Sequence, residues 1–156
     1  MHACYPQGFL AVFLNRSLGN FCFYGLRSLL ILYLTSTFLF SDHKAFALYG
    51  TFMALSYLMP LLGGWLSDHL MGIRLSLLFG GCSVFIGSLL LMKQNLLGLS
   101  LGLTFISMGM GFLKPSSLSA VGCLFPINEL QKKDKAYTVL YIGMNIGGAL
   151  GPLMCG

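Results

Sequence analysis

Charge is what this sequence has least of. Only 8% of its 156 residues are Asp, Glu, Lys or Arg, whereas a water-soluble domain carries about 25%. So few charges cannot cover a soluble globule of this size, and 56% of the residues are hydrophobic. The deficit excludes that class and leaves an integral membrane protein. Acids are scarcest. There are four, Asp42, Asp68, Glu129 and Asp134, each in or beside a polar connection. The net charge is +5, but the basic residues form no stripe with interleaved aromatics, which excludes a nucleic-acid partner. Five cysteines, Cys4, Cys22, Cys82, Cys123 and Cys155, are scattered without metal-ligand spacing and read as free, buried thiols. No nucleophile stands beside a base and no phosphate loop occurs, so the sequence points to neither an enzyme nor a cofactor. Ser67, Asp68 and His69 are consecutive, but a catalytic triad is defined by geometry, not by adjacency. The first fifteen residues hold no Lys or Arg, so no charged signal-peptide leader is expected.

Long apolar runs fill the chain instead. A helix needs about 20 largely apolar residues to cross a bilayer, and runs without alternation favour helices over barrel strands. The sequence predicts an all-α, polytopic bundle of about five spans, at approximately 8–38, 45–67, 73–92, 95–124 and 135–156. The connections are short and polar: "SDHKAF", "SDHLMGIR", "KQN" and "FPINELQKKDK". Arg74, Lys132, Lys133 and Lys135 fall on one side of the membrane, Lys44 and Lys93 on the other. The excess places the amino terminus in the cytoplasm, in a cell (inner) membrane. Gly143, Gly147 and Gly151 recur four apart in "GMNIGGALG", as do Gly98 and Gly102 in "GLSLG". Small residues at that interval let helix backbones approach closely in lipid, and bundle packing is their simplest use. Pro60, Pro115 and Pro152 fall inside or near spans, where neighbouring helices can satisfy the freed carbonyls.

The stretch "RSLGNFCFYGLR" breaks the first run with charge. Arg16, Asn20, Phe23 and Arg27 share one helix face, with Tyr24 beside it. A cation in mid-bilayer costs roughly 3 kcal/mol on insertion scales, so such residues face a bundle interior or a wet cavity. Lys114 joins them if the fourth helix continues past Pro115. Snorkelling to the interface is the simpler alternative for Arg16 and Lys114; Arg27 sits deeper in its run. No carboxylate accompanies these cations within a span. That pattern fits an anion site for a substrate carboxylate or a phosphate, with Arg suited to bidentate contact and Lys to a point charge. It argues against proton carriage, which needs Asp, Glu or His in the membrane. His2, His43 and His69 all lie in the tail or loops.

Four segments carry a resemblance. "FCFYGLRSLLILYL", "YLMPLLGGWLSDHLMGIR", "GMGFLKPSSLSAVGCLF" and "YTVLYIGMNIGGALGPL" resemble, in order and spacing, the amino-terminal part of the proton-dependent oligopeptide transporters of the major facilitator superfamily. The resemblance implies symport of di- or tripeptides with protons. It implies that Tyr24, Arg27, Tyr57, Lys114 and Asn145 line the peptide cavity, Lys114 meeting a peptide carboxylate. It also implies that Asp68, with Gly64, Gly72 and Arg74, belongs to a gating loop; a solvated turn is the simpler role for Asp68. The family's proton-coupling Glu-x-x-Glu-Arg is altered here. Arg16, Gly19 and Asn20 stand at its positions, so protons are a doubtful partner. His69 and Ser116 also depart from the family pattern.

Transporters of this kind need two six-helix halves with substrate held between them. The expected organisation for 1–156 is therefore part of one amino-terminal half, the second half absent, and a chain not competent alone. Its partners are then membrane lipid and a chain supplying the missing helices, with the glycine face of the fifth helix available for that contact. Two alternatives stay open: a non-transporting membrane fragment or split-transporter subunit, and a relative that binds another anion.

Overall fold

The computed structural model describes residues 8–93, 95–125 and 130–155. His2, Cys4, Glu129 and Gly156 lie outside the described residues. The described chain is helical: α1 Phe9–Ser36, α2 Asp42–Leu66, α3 Gly72–Leu91, α4 Leu96–Leu124 and α5 Leu130–Cys155, with a π-helical turn, Ser67–Met71, between α2 and α3. Among the described residues, four continuous helical stretches are long and apolar enough to cross a membrane, and one of them, Asp42–Leu91, has 50 residues. A straight helix of that length would reach about 75 Å, more than twice the roughly 30 Å hydrocarbon core. It turns back instead. Gly72 takes φ 72° and ψ 162°, a backbone region open to glycine, so α2 and α3 become two arms that both lie against α4. A Cβ on Gly63 of α2 would meet the Gly111 carbonyl at 2.6 Å, and one on Gly80 of α3 would meet the Gly109 carbonyl at 3.0 Å.

The α4 helix is the centre of the bundle. It is 61% buried, against 28–33% for the other spanning stretches. It shares one apolar cluster with α1, α2 and α3, built on Phe23, Leu30, Phe52, Val84, Ile106 and Met110. It shares a second with α1 and α5, built on Phe9, Val121, Leu140 and Met144. The outside is apolar as well, with Leu61, Trp65, Phe85, Leu97 and Leu153 among the exposed large side chains. The polar groups that are buried are mostly serines, such as Ser56, Ser76, Ser107 and Ser117. This inverts the order of a water-soluble protein and fits lipid as the solvent, where small residues bring helices together. Several hydroxyls in the spans are satisfied within their own helix, as in Ser88 to the Val84 carbonyl and Thr104 to the Ser100 carbonyl. Others pair across helices, Ser56 with Ser107 at 3.1 Å.

Two expectations need correction. The glycine face of α5 is not open to a partner: α1 occupies it. A Cβ at Gly151 would meet the Phe21 carbonyl at 2.5 Å, and one at Gly147 would run into the carbonyl of Ser17. The described cysteines are free, but Cys82, Cys123 and Cys155 are exposed and Cys22 is only partly buried. A thiol is a small apolar group, and in lipid an outward position suits it as well as an inward one.

Candidate functional site

The polar face of α1 divides among three neighbours. Arg16 is buried, with 8% of its surface exposed. Its Nη1 donates to Asn20 Oδ1 at 2.9 Å. Asn20 Nδ2 in turn donates to the Met144 carbonyl of α5 at 3.1 Å. The Nε of Arg16 is buried and has no partner. Close approach on both sides makes this arrangement fit. Gly147 lets the α1 backbone come down on α5, and Gly19 leaves room where a Cβ would meet Leu113 Cδ1 at 3.0 Å and Met110 Sδ at 3.6 Å.

One turn further along α1, Phe23 is buried and turns toward α4 and α2. Its ring centroid lies 5.7 Å from that of Phe52. The ammonium of Lys114 stands 5.1 Å from the Phe23 centroid and 5.5 Å from that of Tyr57. Side chains on a helix lean toward its amino end, which carries Lys114 away from Pro115 and onto these rings. Two cation–π contacts of about 0.5–2 kcal/mol each are comparable to the roughly 3 kcal/mol that a mid-membrane cation costs. They hold the ammonium in place while leaving it without an opposing charge. Arg27, half-buried, donates from Nε to the Tyr49 hydroxyl of α2 at 3.1 Å. Tyr24 is exposed at the edge, its ring against Gly148 of α5, where a Cβ would lie 3.3 Å from Cδ2. Asn145, one turn before Gly148, is also exposed. Tyr24, Arg27, Tyr57, Lys114 and Asn145 therefore come from α1, α2, α4 and α5, linked by Phe23, Tyr49 and Gly148. Of the three described acids, each is exposed: Asp42 in the first turn of α2, Asp68 on the π-helical turn and Asp134 near the start of α5.

The expected gating residues gather at the α2–α3 reversal. Asp68 is exposed on the π-helical turn and Gly72 ends it. Gly64 faces Pro115, where a Cβ would lie 3.5 Å from the proline Cβ. Arg74 is exposed at the start of α3 and lines a cavity of about 400 Å³ with Val12, Leu77 and Cys123. The turn is tied to α4 by Ser67 and Ser116, whose hydroxyls lie 3.1 Å apart and are buried. Sequence reasoning missed Tyr49 and this serine pair. Each carried a weak signal: a tyrosine within a span needs a partner for its hydroxyl, and Ser67 and Ser116 flank the two features singled out, Asp68 and Pro115.

The model of the Major Facilitator Superfamily matches residues 12–156. The chain is 29% identical over 158 residues to an uncharacterized transporter, YclF, of Bacillus subtilis (strain 168), covering 97% of this chain and 32% of that protein. It is equally 29% identical over 159 residues to a di-/tripeptide transporter of Lactococcus lactis subsp. lactis (strain IL1403), with the same coverage. Among solved structures it is similar to a peptide transporter POT in complex with sulfate (TM-score 0.90, 27% identity, 98% of this chain and 32% of that one). It is also similar to a POT family transporter in complex with 5-aminolevulinic acid (TM-score 0.84, 27% identity, 99% and 33%). The chain belongs to the Major Facilitator Superfamily, in its peptide-transporter (POT) branch, and corresponds to the amino-terminal part of that fold. It is a multi-pass membrane protein that spans about a third of the length of the relatives it matches.

Proposed function

We propose that this chain supplies one wall of a di- or tripeptide site in a membrane transporter. The observation that carries the reading is Lys114 held over Phe23 and Tyr57, with a second cation, Arg27, one turn beyond Phe23 on α1 and braced by Tyr49. Two positive groups from different helices on an open aromatic face suit a peptide carboxylate: a planar guanidinium for bidentate contact and an ammonium as a point charge. Asn145 offers an amide to the peptide backbone or amino end. Asp68, Gly64, Gly72 and Arg74 serve the hinge at the α2–α3 turn. Related proteins described as a di-/tripeptide transporter and as a peptide transporter in complex with sulfate favour the same chemistry.

In this reading the amino terminus is cytoplasmic, the membrane is the cell membrane, and no catalytic reaction takes place. Proton coupling is lost, because Arg16, Gly19 and Asn20 offer no carboxylate to carry a proton. Enclosing a substrate takes further helices than these. The test is binding of a dipeptide to the purified chain in detergent, against the same dipeptide with an amidated carboxyl end. The free acid is expected to bind more tightly, and Lys114→Met to abolish the difference. Equal binding of acid and amide by the wild-type chain would overturn the assignment.

A further inference from the structure

Arg16 is the one buried charge that the peptide reading leaves unused. It is 8% exposed, its one hydrogen bond is to the neutral amide oxygen of Asn20, and its Nε is buried without a partner. An uncompensated buried charge is among the most unfavourable features a protein can carry. Nothing acidic in the described spans relieves it: Asp42, Asp68 and Asp134 are exposed, at or near the ends of their helices.

A second cation converges on the same place. Helices α1 and α4 run antiparallel, as Gly19 against Leu113 and Phe9 against Phe125 fix. Arg16 is therefore level with the turn that begins at Lys114. The Asn20 bond turns the guanidinium forward along α1, toward Phe23 and the side to which Lys114 leans. The two groups are close enough to interact electrostatically, and Lys114 has aromatic faces rather than a carboxylate for company. Two like charges at one depth, both short of a counter-charge, call for an anion between them.

We propose that Arg16 and Lys114 share a small inorganic anion of the halide class at the α1–α4 seam, beside Asn20. Its compactness suits a place where Arg16 Nε is already covered by protein. The inference does not depend on a peptide being the substrate. The anion neutralises α1 against α4 and fixes the charge state of the polar face at any pH where halide is present.

The test uses the purified chain in detergent. Thermal unfolding is followed while sodium gluconate is replaced, at constant ionic strength, by chloride, bromide, acetate or a dipeptide. Chloride and bromide are expected to stabilise saturably and the carboxylates not to do so. Arg16→Gln should remove the response, and Lys114→Gln should raise the half-saturating halide concentration roughly tenfold, the loss of one charge-assisted contact. Arg16→Glu should give a chain that is stable in gluconate and indifferent to halide, because the new carboxylate meets Lys114 directly. Should Arg16→Gln fail to fold, equilibrium dialysis of radiolabelled chloride on the wild-type chain decides the matter, saturable binding supporting the site and none overturning it. A chain equally stable in gluconate and chloride, or a halide response unchanged in Arg16→Gln, overturns the proposal. Stabilisation by carboxylates alone overturns it too, by assigning both cations to an organic substrate. Discrimination between dipeptide acid and amide is measured separately and stands or falls with Lys114→Met, so the two readings fail independently.

Discussion

Asn20 joins two helices that are far apart in sequence: its amide nitrogen reaches the Met144 carbonyl of α5 at 3.1 Å while its oxygen takes the Nη1 hydrogen of Arg16 at 2.9 Å. Asn20→Ala removes both bonds and leaves the Arg16 guanidinium with a second orphaned nitrogen. A loss of about 1–3 kcal/mol is expected, read as a lower unfolding temperature in detergent. Asn20→Asp should recover part of it, since a carboxylate beside Arg16 makes a charge-assisted bond. An alanine variant as stable as the wild type would show that this contact carries no weight.

Glycine positions give a graded prediction about packing. Gly147→Ala puts a methyl group into the Ser17 carbonyl of α1, and Gly151→Ala puts one against Phe21. Each should cost about 1–3 kcal/mol, the ordinary penalty of overpacking. Gly50, inside α2, has nothing within 4 Å of where a Cβ would stand, and Gly50→Ala should stabilise by about 0.4–1 kcal/mol through the unfolded chain. Chemical unfolding of the three variants side by side checks the order; equal effects would mean that α1 and α5 do not pack as described.

The Lys114 prediction concerns selectivity. A charge-assisted contact contributes about 1.5–3 kcal/mol, so Lys114→Met should weaken binding of a dipeptide acid by roughly tenfold or more and leave the amide nearly unaffected. Tyr57→Leu, which removes one of the two rings beneath the ammonium, should give a smaller loss. Calorimetric titration of both ligands separates the two outcomes, and a uniform drop for acid and amide would point to lost packing instead.

The pH dependence of ligand binding follows from what titrates. Histidine is the side chain whose ordinary titration falls between about pH 5 and 8, and the two described histidines, His43 and His69, are exposed at the two ends of α2. His69 is engaged with Trp65, stacked at 5.2 Å. Dipeptide binding should therefore be flat across that range, and Arg16→Glu should introduce a dependence on the acid side. A steep wild-type profile would bring protons back as a partner.

Much of the architecture was legible in the sequence, because run length and scarcity of charge are read directly by a bilayer. The reversal before Arg74 was marked by "SDHLMGIR", and Gly72 supplies the backbone conformation it needs. The repeat of Gly143, Gly147 and Gly151 announced a close approach. A small-residue stripe names a face and not its partner, so its use by Ser17, Phe21 and Gly25 of α1 was not readable. The cation face was visible as Arg16, Asn20, Phe23 and Arg27. Its division among α5, α4 and α2 was not, since helical spacing says which residues share a side and not which neighbour lies there. The thiols were misread because hydropathy separates inside from outside only when the solvent is water.

The central position of α4 also bears on how the protein is made. Helices emerge from the ribosome in order, and α1, α2 and α3 are all synthesised before the segment on which they converge. Until Leu96–Leu124 has entered the bilayer, Phe23, Phe52 and Val84 lack the surface that buries them. A nascent chain stopped short of Leu96 would hold three loosely associated helices, open to quality-control proteases. Completion of α4 is thus the moment at which the bundle acquires resistance to degradation.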